Sequence, residues 1–180
     1  GTGGGRADHF RAAARKLSAY GGPTHTAMRH RFPIVADTDL TSEQQATSHL
    51  ILIGPPDENA VTASLWSKIP VSIEGQTLLA GNRQPLALKN RVLSLLHPNP
   101  SYPDRLVYIV APFVDEPGLQ DFSRRTQFFA AGSDGFDRIS QPDLIVQNLK
   151  NQVVRQMQFD KDWQWLKQPG EDVAIPRRFE

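Results

Sequence analysis

Two apolar segments separated by a proline-rich insert constrain this chain more than any other feature in it. Residues 92–96 (VLSLL) and 106–111 (LVYIVA) have strand length and strand composition. Between them stands His97-Pro98-Asn99-Pro100-Ser101-Tyr102-Pro103-Asp104-Arg105. Pro98, Pro100 and Pro103 fix their own φ angles and push His97, Asn99 and Tyr102 toward extended backbone. Such an insert is preorganised. It suits a ligand site at the sheet's edge, with His97 and Asn99 as contacts, and equally a stiff connection between two central strands, which is the reading adopted. Asp104 and Arg105 can pair with each other, for little gain if exposed.

The rest of the chain supplies helices around such strands. Residues 6–20 place Phe10, Ala13, Ala14 and Leu17 on one helical face, and Gly21-Gly22-Pro23 stops that helix. Residues 32–36 are the best strand in the stretch that follows. Thr41 is a predicted N-cap with Gln44 at the capping-box position. HLILIG, apolar throughout Leu50–Ile53, predicts a central strand buried on both faces. Proline in the first turn and acids near the start predict a helix in PPDENAVTASLWSKI, with Ala60, Val61, Leu65 and Ile69 inward. PVSIEG and QTLLAG form a small hairpin. EPGLQDFSRRTQFFAAG is a helix closed by Gly132, and QPDLIVQN and QVVRQMQFD are late strands joined at residues 149–151. Helices alternating with buried strands give an α/β fold, a three-layer sandwich with a mixed sheet of about five to seven strands and helices on both faces. Residues 1–5 read as a scar or linker, 6–165 as a single domain, and 166–180 as an irregular tail.

Composition removes several classes of function. With 180 residues and a net charge of +1, the chain has the size of one domain and no basic stripe for nucleic acid; the runs at 29–31 and 124–125 are short. The absence of cysteine rules out disulfides, thiolate catalysis and Cys-based zinc sites. No apolar run approaches the ~20 residues of a membrane span, and no signal peptide is visible.

The sharpest local motif is PIVADTDLT. An apolar strand followed by Asp37-x-Asp39-x-Thr41 resembles the first motif of haloacid-dehalogenase-type phosphatases, which implies Asp37 as nucleophile and Asp39 as proton shuttle around magnesium. Leu40 replaces the usual glycine, and Lys68, Glu171 and Asp172 lack the context of the companion motifs. The competing reading makes Asp39 and Thr41 caps of the short helix. AAGSDGFD misses the serine-nucleophile spacing because Gly135 falls one residue early. LILIGPPDENAV is a poor phosphate loop, since two prolines delete N–H donors and Asp57 and Glu58 repel anions. None of the five histidines sits in a zincin pattern, and no cofactor is expected.

An ordered set of segments carries a wider resemblance. The stretch from DTDLTSEQQATSHLILIGPPDENAV to SIEG, then LLHPNPSYPDRLVYIVAPF, QPDLIVQN and FDKDW together resemble the domain that follows the catalytic α/β-hydrolase domain in large bacterial prolyl-oligopeptidase-like or esterase-like proteins, over roughly residues 35–165. Gly54, Pro56 and Asn59 match its strand-to-helix turn; Pro98, Asn99 and Pro100 match its Pro-Asn-Pro element; Pro103 and Arg105 match the continuation. His97 stands where tyrosine is usual. The resemblance implies a non-catalytic accessory or interaction domain, joined in one polypeptide to a secreted or periplasmic hydrolase.

Three expectations follow. The first is that accessory domain. The second is a magnesium-dependent phosphohydrolase using Asp37 and Asp39. The third is a small-molecule module at strand ends near Gly54 and His97, with Gly54, Asn59, His97, Asn99 and Arg105 as candidate contacts.

Overall fold

The computed structural model describes residues 6–18, 32–80, 84–124 and 142–164. In chain order these are helix α1 (Ala7–Ser18), helix α2 (Ser42–Thr47), strand β1 (Leu50–Ile53), helix α3 (Ala60–Trp66), strands β2 (Ser72–Glu74), β3 (Thr77–Leu79), β4 (Leu86–Ala87), β5 (Arg91–Asn99) and β6 (Tyr102–Phe113), helix α4 (Glu116–Arg124), and strands β7 (Leu144–Asn148) and β8 (Val153–Met157). The class is α/β.

The main sheet has five strands in the order β1-β6-β5-β7-β8, and β2-β3-β4 form a separate antiparallel sheet. The main sheet is mixed because β1 runs parallel to β6 while every other pair is antiparallel. The hairpin expected from PVSIEG and QTLLAG is present as β2 and β3, but it lies outside the mixed sheet.

Strand alternation divides the core in two. Leu93 and Leu95 of β5, with Val107, Ile109 and Ala111 of β6, join Leu65 and Trp66 of α3 and Leu78 of β3. Val92 and Val110, from the same two strands, join Phe10 and Leu17 of α1 and Leu119 and Phe122 of α4. α1 and α4 pack on each other.

Three local expectations are corrected. Among the described residues Leu50–Ile53 is an edge strand, not a central one. Its unbroken apolar run arises because Leu50 and Leu52 feed one core cluster and Ile53 the other, while Ile51 stays 38% exposed. Residues 32–36 form no strand and join no sheet among the described residues. The proline-rich insert is shorter than it reads: β5 continues through His97, Pro98 and Asn99, and β6 begins at Tyr102. The register jumps from Pro98↔Leu106 to Asn99↔Tyr102, so Pro103, Asp104 and Arg105 bulge out of the ladder. The late strands and their turn are as expected, with Asn148 Oδ1 accepting from the Lys150 and Gln152 N–H groups and Asn151 at φ 61°. The predicted ends of α1 and α4, and the tail, fall partly outside the described residues.

Candidate functional site

The turn after β1 is built around Asn59. Its Oδ1 accepts from Thr62 N at 2.8 Å, making it the N-cap of α3, and its Nδ2 donates to Ile53 O at 3.3 Å. Gly54 N donates to Val110 O at 2.9 Å, which continues the parallel ladder into the turn. Helix α3 thus starts at Ala60, and Pro55 and Pro56 belong to the turn instead of its first helical residues.

Asp37 belongs to the same assembly. Its Oδ2 accepts from Ala60 N at 2.7 Å, so α3 carries two caps, one local and one from residues upstream. Burial pushes the Asp37 carboxyl up, but the hydrogen bond from Ala60 and further favourable interactions outweigh it and hold the group below the ordinary carboxylate value. Asp39 is exposed and accepts from Thr38 Oγ1 at 3.2 Å. Thr41 caps α2 in a reciprocal box with Gln44, at 3.2 and 3.0 Å. Asp37 and Thr41 of the Asp-x-Asp-x-Thr motif therefore cap two different helices; Thr41 caps α2 as expected, Asp39 does not share that role, and Asp37 caps α3, which sequence reading did not foresee. Lys68 reaches Ser101 Oγ at 3.4 Å, on the β5–β6 turn. Glu171 and Asp172 lie outside the described residues. Among the described residues no three His, Asp or Glu side chains converge as a metal site would require.

His97 is buried in an aromatic cluster, edge-on to Phe159 at 5.5 Å and Trp163 at 5.6 Å between ring centres. Its Nδ1 lies 2.7 Å from Pro98 O, a carbonyl that can only accept, so Nδ1 carries the proton. Burial lowers the His97 pKa below its usual 6.5, against smaller opposing effects of the Pro98 carbonyl and Asp143. Asn99 Oδ1 accepts from Ser101 N at 3.0 Å and shapes the hairpin turn, while its buried Nδ2 has no partner among the described residues. Arg105 Nε donates to Ala46 O at 3.2 Å, satisfying a terminal carbonyl of α2, and Leu106 N donates to His49 Nδ1 at 2.9 Å.

The register separates the two halves of the proposed small-molecule site. Gly54 follows Ile53, which pairs with Val110, itself opposite Ser94; His97 pairs with Val107, opposite Leu50. Gly54 and His97 therefore lie toward opposite ends of the ladder, with β6 between their strands.

What sequence reading missed is a groove of about 720 Å³ between α1, residues 32–40 and β1. Its walls include Phe10 and Ala14 of α1, the exposed Phe32 and Ile34, and Ile51 of β1, with Arg11 and Arg15 on the α1 side. Asn59 reaches it, whereas His97, Asn99 and Arg105 do not line it. The apolar FPIV segment at residues 32–35 was the available signal, but nothing local says that it stays unpaired. No family model, curated protein or solved structure matches this chain.

Proposed function

We propose that this chain is a non-catalytic accessory or interaction domain of a larger bacterial hydrolase, secreted or periplasmic, that packs on the catalytic α/β-hydrolase domain of the same polypeptide or helps present substrate to it. The observation that carries the reading is the employment of its polar residues. Asp37 and Asn59 cap α3, Thr41 caps α2, Arg105 closes α2, Asn99 shapes a turn and His97 packs among aromatic rings. Among the described residues, these six candidate side chains are engaged mainly in capping, turn formation and packing. The ordered resemblance over residues 35–165 points the same way. In this reading the two core clusters are the two faces of a three-layer sandwich, α1 and α4 covering one and α3 with the small sheet covering the other.

The test is an immunoblot of fractionated source cells. A band several times heavier than 20.1 kDa in the periplasmic or secreted fraction is expected. A cytoplasmic product of 20.1 kDa overturns the reading. So does magnesium-dependent hydrolysis of a generic phosphate ester by the pure chain, provided that Asp37→Asn folds normally and abolishes it.

A further inference from the structure

We infer that His97 is an acid-sensitive latch: uptake of a proton on Nε2 releases the aromatic segment 158–164 from the end of the main sheet, by local opening and not by unfolding of the domain. The inference is independent of the accessory-domain reading.

Phe159 and Trp163 dock this segment on β5. Their rings lie 5.5 and 5.6 Å from the His97 imidazole and 5.9 Å from each other, and Phe159 N donates to Asp143 Oδ2 at 2.8 Å. Asp143 is itself tied to β5, its carbonyl accepting from Leu96 N. Trp163 reaches the cluster from a left-handed backbone, φ 57°, on a loop closed by Asp160, whose Oδ1 accepts from Asp162 N and Gln164 N. A bulky residue holds that conformation only where its packing offsets the steric cost. β5, in contrast, is paired with β6 on one side and β7 on the other. The rings can therefore part from His97 while the strand beneath them stays in place.

The imidazole has one place for a second proton. Nδ1 already donates to Pro98 O at 2.7 Å, so the proton enters at Nε2, for which no described residue supplies an acceptor. His97 is only 8% exposed, so a charged ring would be poorly solvated among aromatic neighbours. The charged groups around it are engaged elsewhere. Asp143 favours the charged ring, but its Oδ2 is taken by Phe159 N; Asp160 is turned into its own loop, and Lys161 and Asp162 pair at 2.9 Å. On neighbouring elements, Arg105 donates to Ala46 O, Lys68 lies against Ser101 and Arg155 donates to Gln84 O.

The sign follows. Burial outweighs the Pro98 carbonyl and Asp143 and holds the docked ring below its usual 6.5, whereas a ring freed into water takes its proton at the usual value. As pH falls below 6.5, the opening constant rises by up to about tenfold per pH unit, until the docked-state pKa is passed.

Amide hydrogen exchange followed by NMR, corrected at each pH for intrinsic exchange, tests this. Protection of Phe159 N–H should fall several-fold between about pH 7 and about pH 5. In low urea its exchange should respond far less than that of Ile109 in β6, which marks local opening. The pH dependence should vanish in His97→Phe and persist in Asp143→Asn, which keeps an acceptor for Phe159 N. Constant or rising protection on acidification, one shared urea response for Phe159 and Ile109, or an unaltered pH dependence in His97→Phe overturns the proposal. If His97→Phe does not fold, the ring titration of His97 in the unmodified chain decides: a midpoint at or above 6.5 overturns it.

Discussion

Gly54 and Asn59 close the turn after β1 against each other. Gly54 has φ +128°, and a Cβ placed on it would lie 3.2 Å from Asn59 Cβ. The tight approach lets one amide serve both sides of the turn, accepting from Thr62 N and donating to Ile53 O. Turn conformation, helix cap and strand end are thus one unit.

Gly54→Ala should therefore cost about 1–3 kcal/mol through its disallowed φ and the crowding at Asn59. Asn59→Ala should cost about 1–2 kcal/mol through loss of the N-cap. Because the two residues touch, the double variant should lose less than the sum of the singles. Urea unfolding of the four proteins measures this, and strict additivity would contradict the coupling.

Asp37 and Asp39 should separate cleanly in stability. Asp37→Ala removes the acceptor for Ala60 N–H and should cost about 1 kcal/mol, whereas exposed Asp39→Ala should stay within about 0.5 kcal/mol. Thermal melts at neutral pH decide between this capping role and a motif whose two acids act together.

His97 gives a signed dependence on pH. Its pKa is lower in the folded chain than its usual 6.5, so above 6.5 the ring is neutral in both states and its contribution to stability is fully present. As pH falls below 6.5, the unfolded state takes up the proton first, and stability declines until the folded-state pKa is passed. His97→Phe, which keeps an aromatic ring in the cluster, should flatten this part of the stability-versus-pH curve. Denaturant unfolding across mildly acidic pH is the measurement; an unchanged slope would show that other groups govern it.

Arg6 ties α1 to the carboxyl end of the sheet. It meets Glu58 at 2.8 Å and Glu116 at 3.6 Å, and donates to Val114 O at 3.1 Å, while His9 reaches Glu116 at 3.0 Å. The side chains are partly exposed, so Arg6→Ala should cost no more than about 1 kcal/mol, and the cost should shrink in high salt. Hydrogen exchange in α1 should rise more than in β5, because α1 depends on this contact while β5 is paired on both sides.

Local signals were reliable where the cause was local. The capping box at Thr41 and Gln44, the asparagine turn after β7, the hairpin of β2 and β3 and the inward face of α1 follow from side chains acting over a few residues, and all are legible in the chain. The candidate site was legible only in fragments. Sequence pointed to Gly54, Asn59, Asp37 and His97, but not to the fact that Asn59 and Asp37 serve one helix while His97 belongs to another end of the sheet.

By itself the sequence determined the α/β class, most of the apolar strands and the starts of α2 and α4, because periodicity and capping act over one or two turns. Strand order was decided only by the tertiary structure. An apolar run such as LILI suits an interior strand and an edge strand alike, since Leu50, Leu52 and Ile53 are buried here at the edge as they would be inside. What distinguishes them is whether a second neighbour accepts from the outward N–H of Ile51 and donates to its C=O, and that neighbour would have to come from a distant part of the chain. The same long-range choice left residues 32–36 outside the sheets of the described residues, beside the groove.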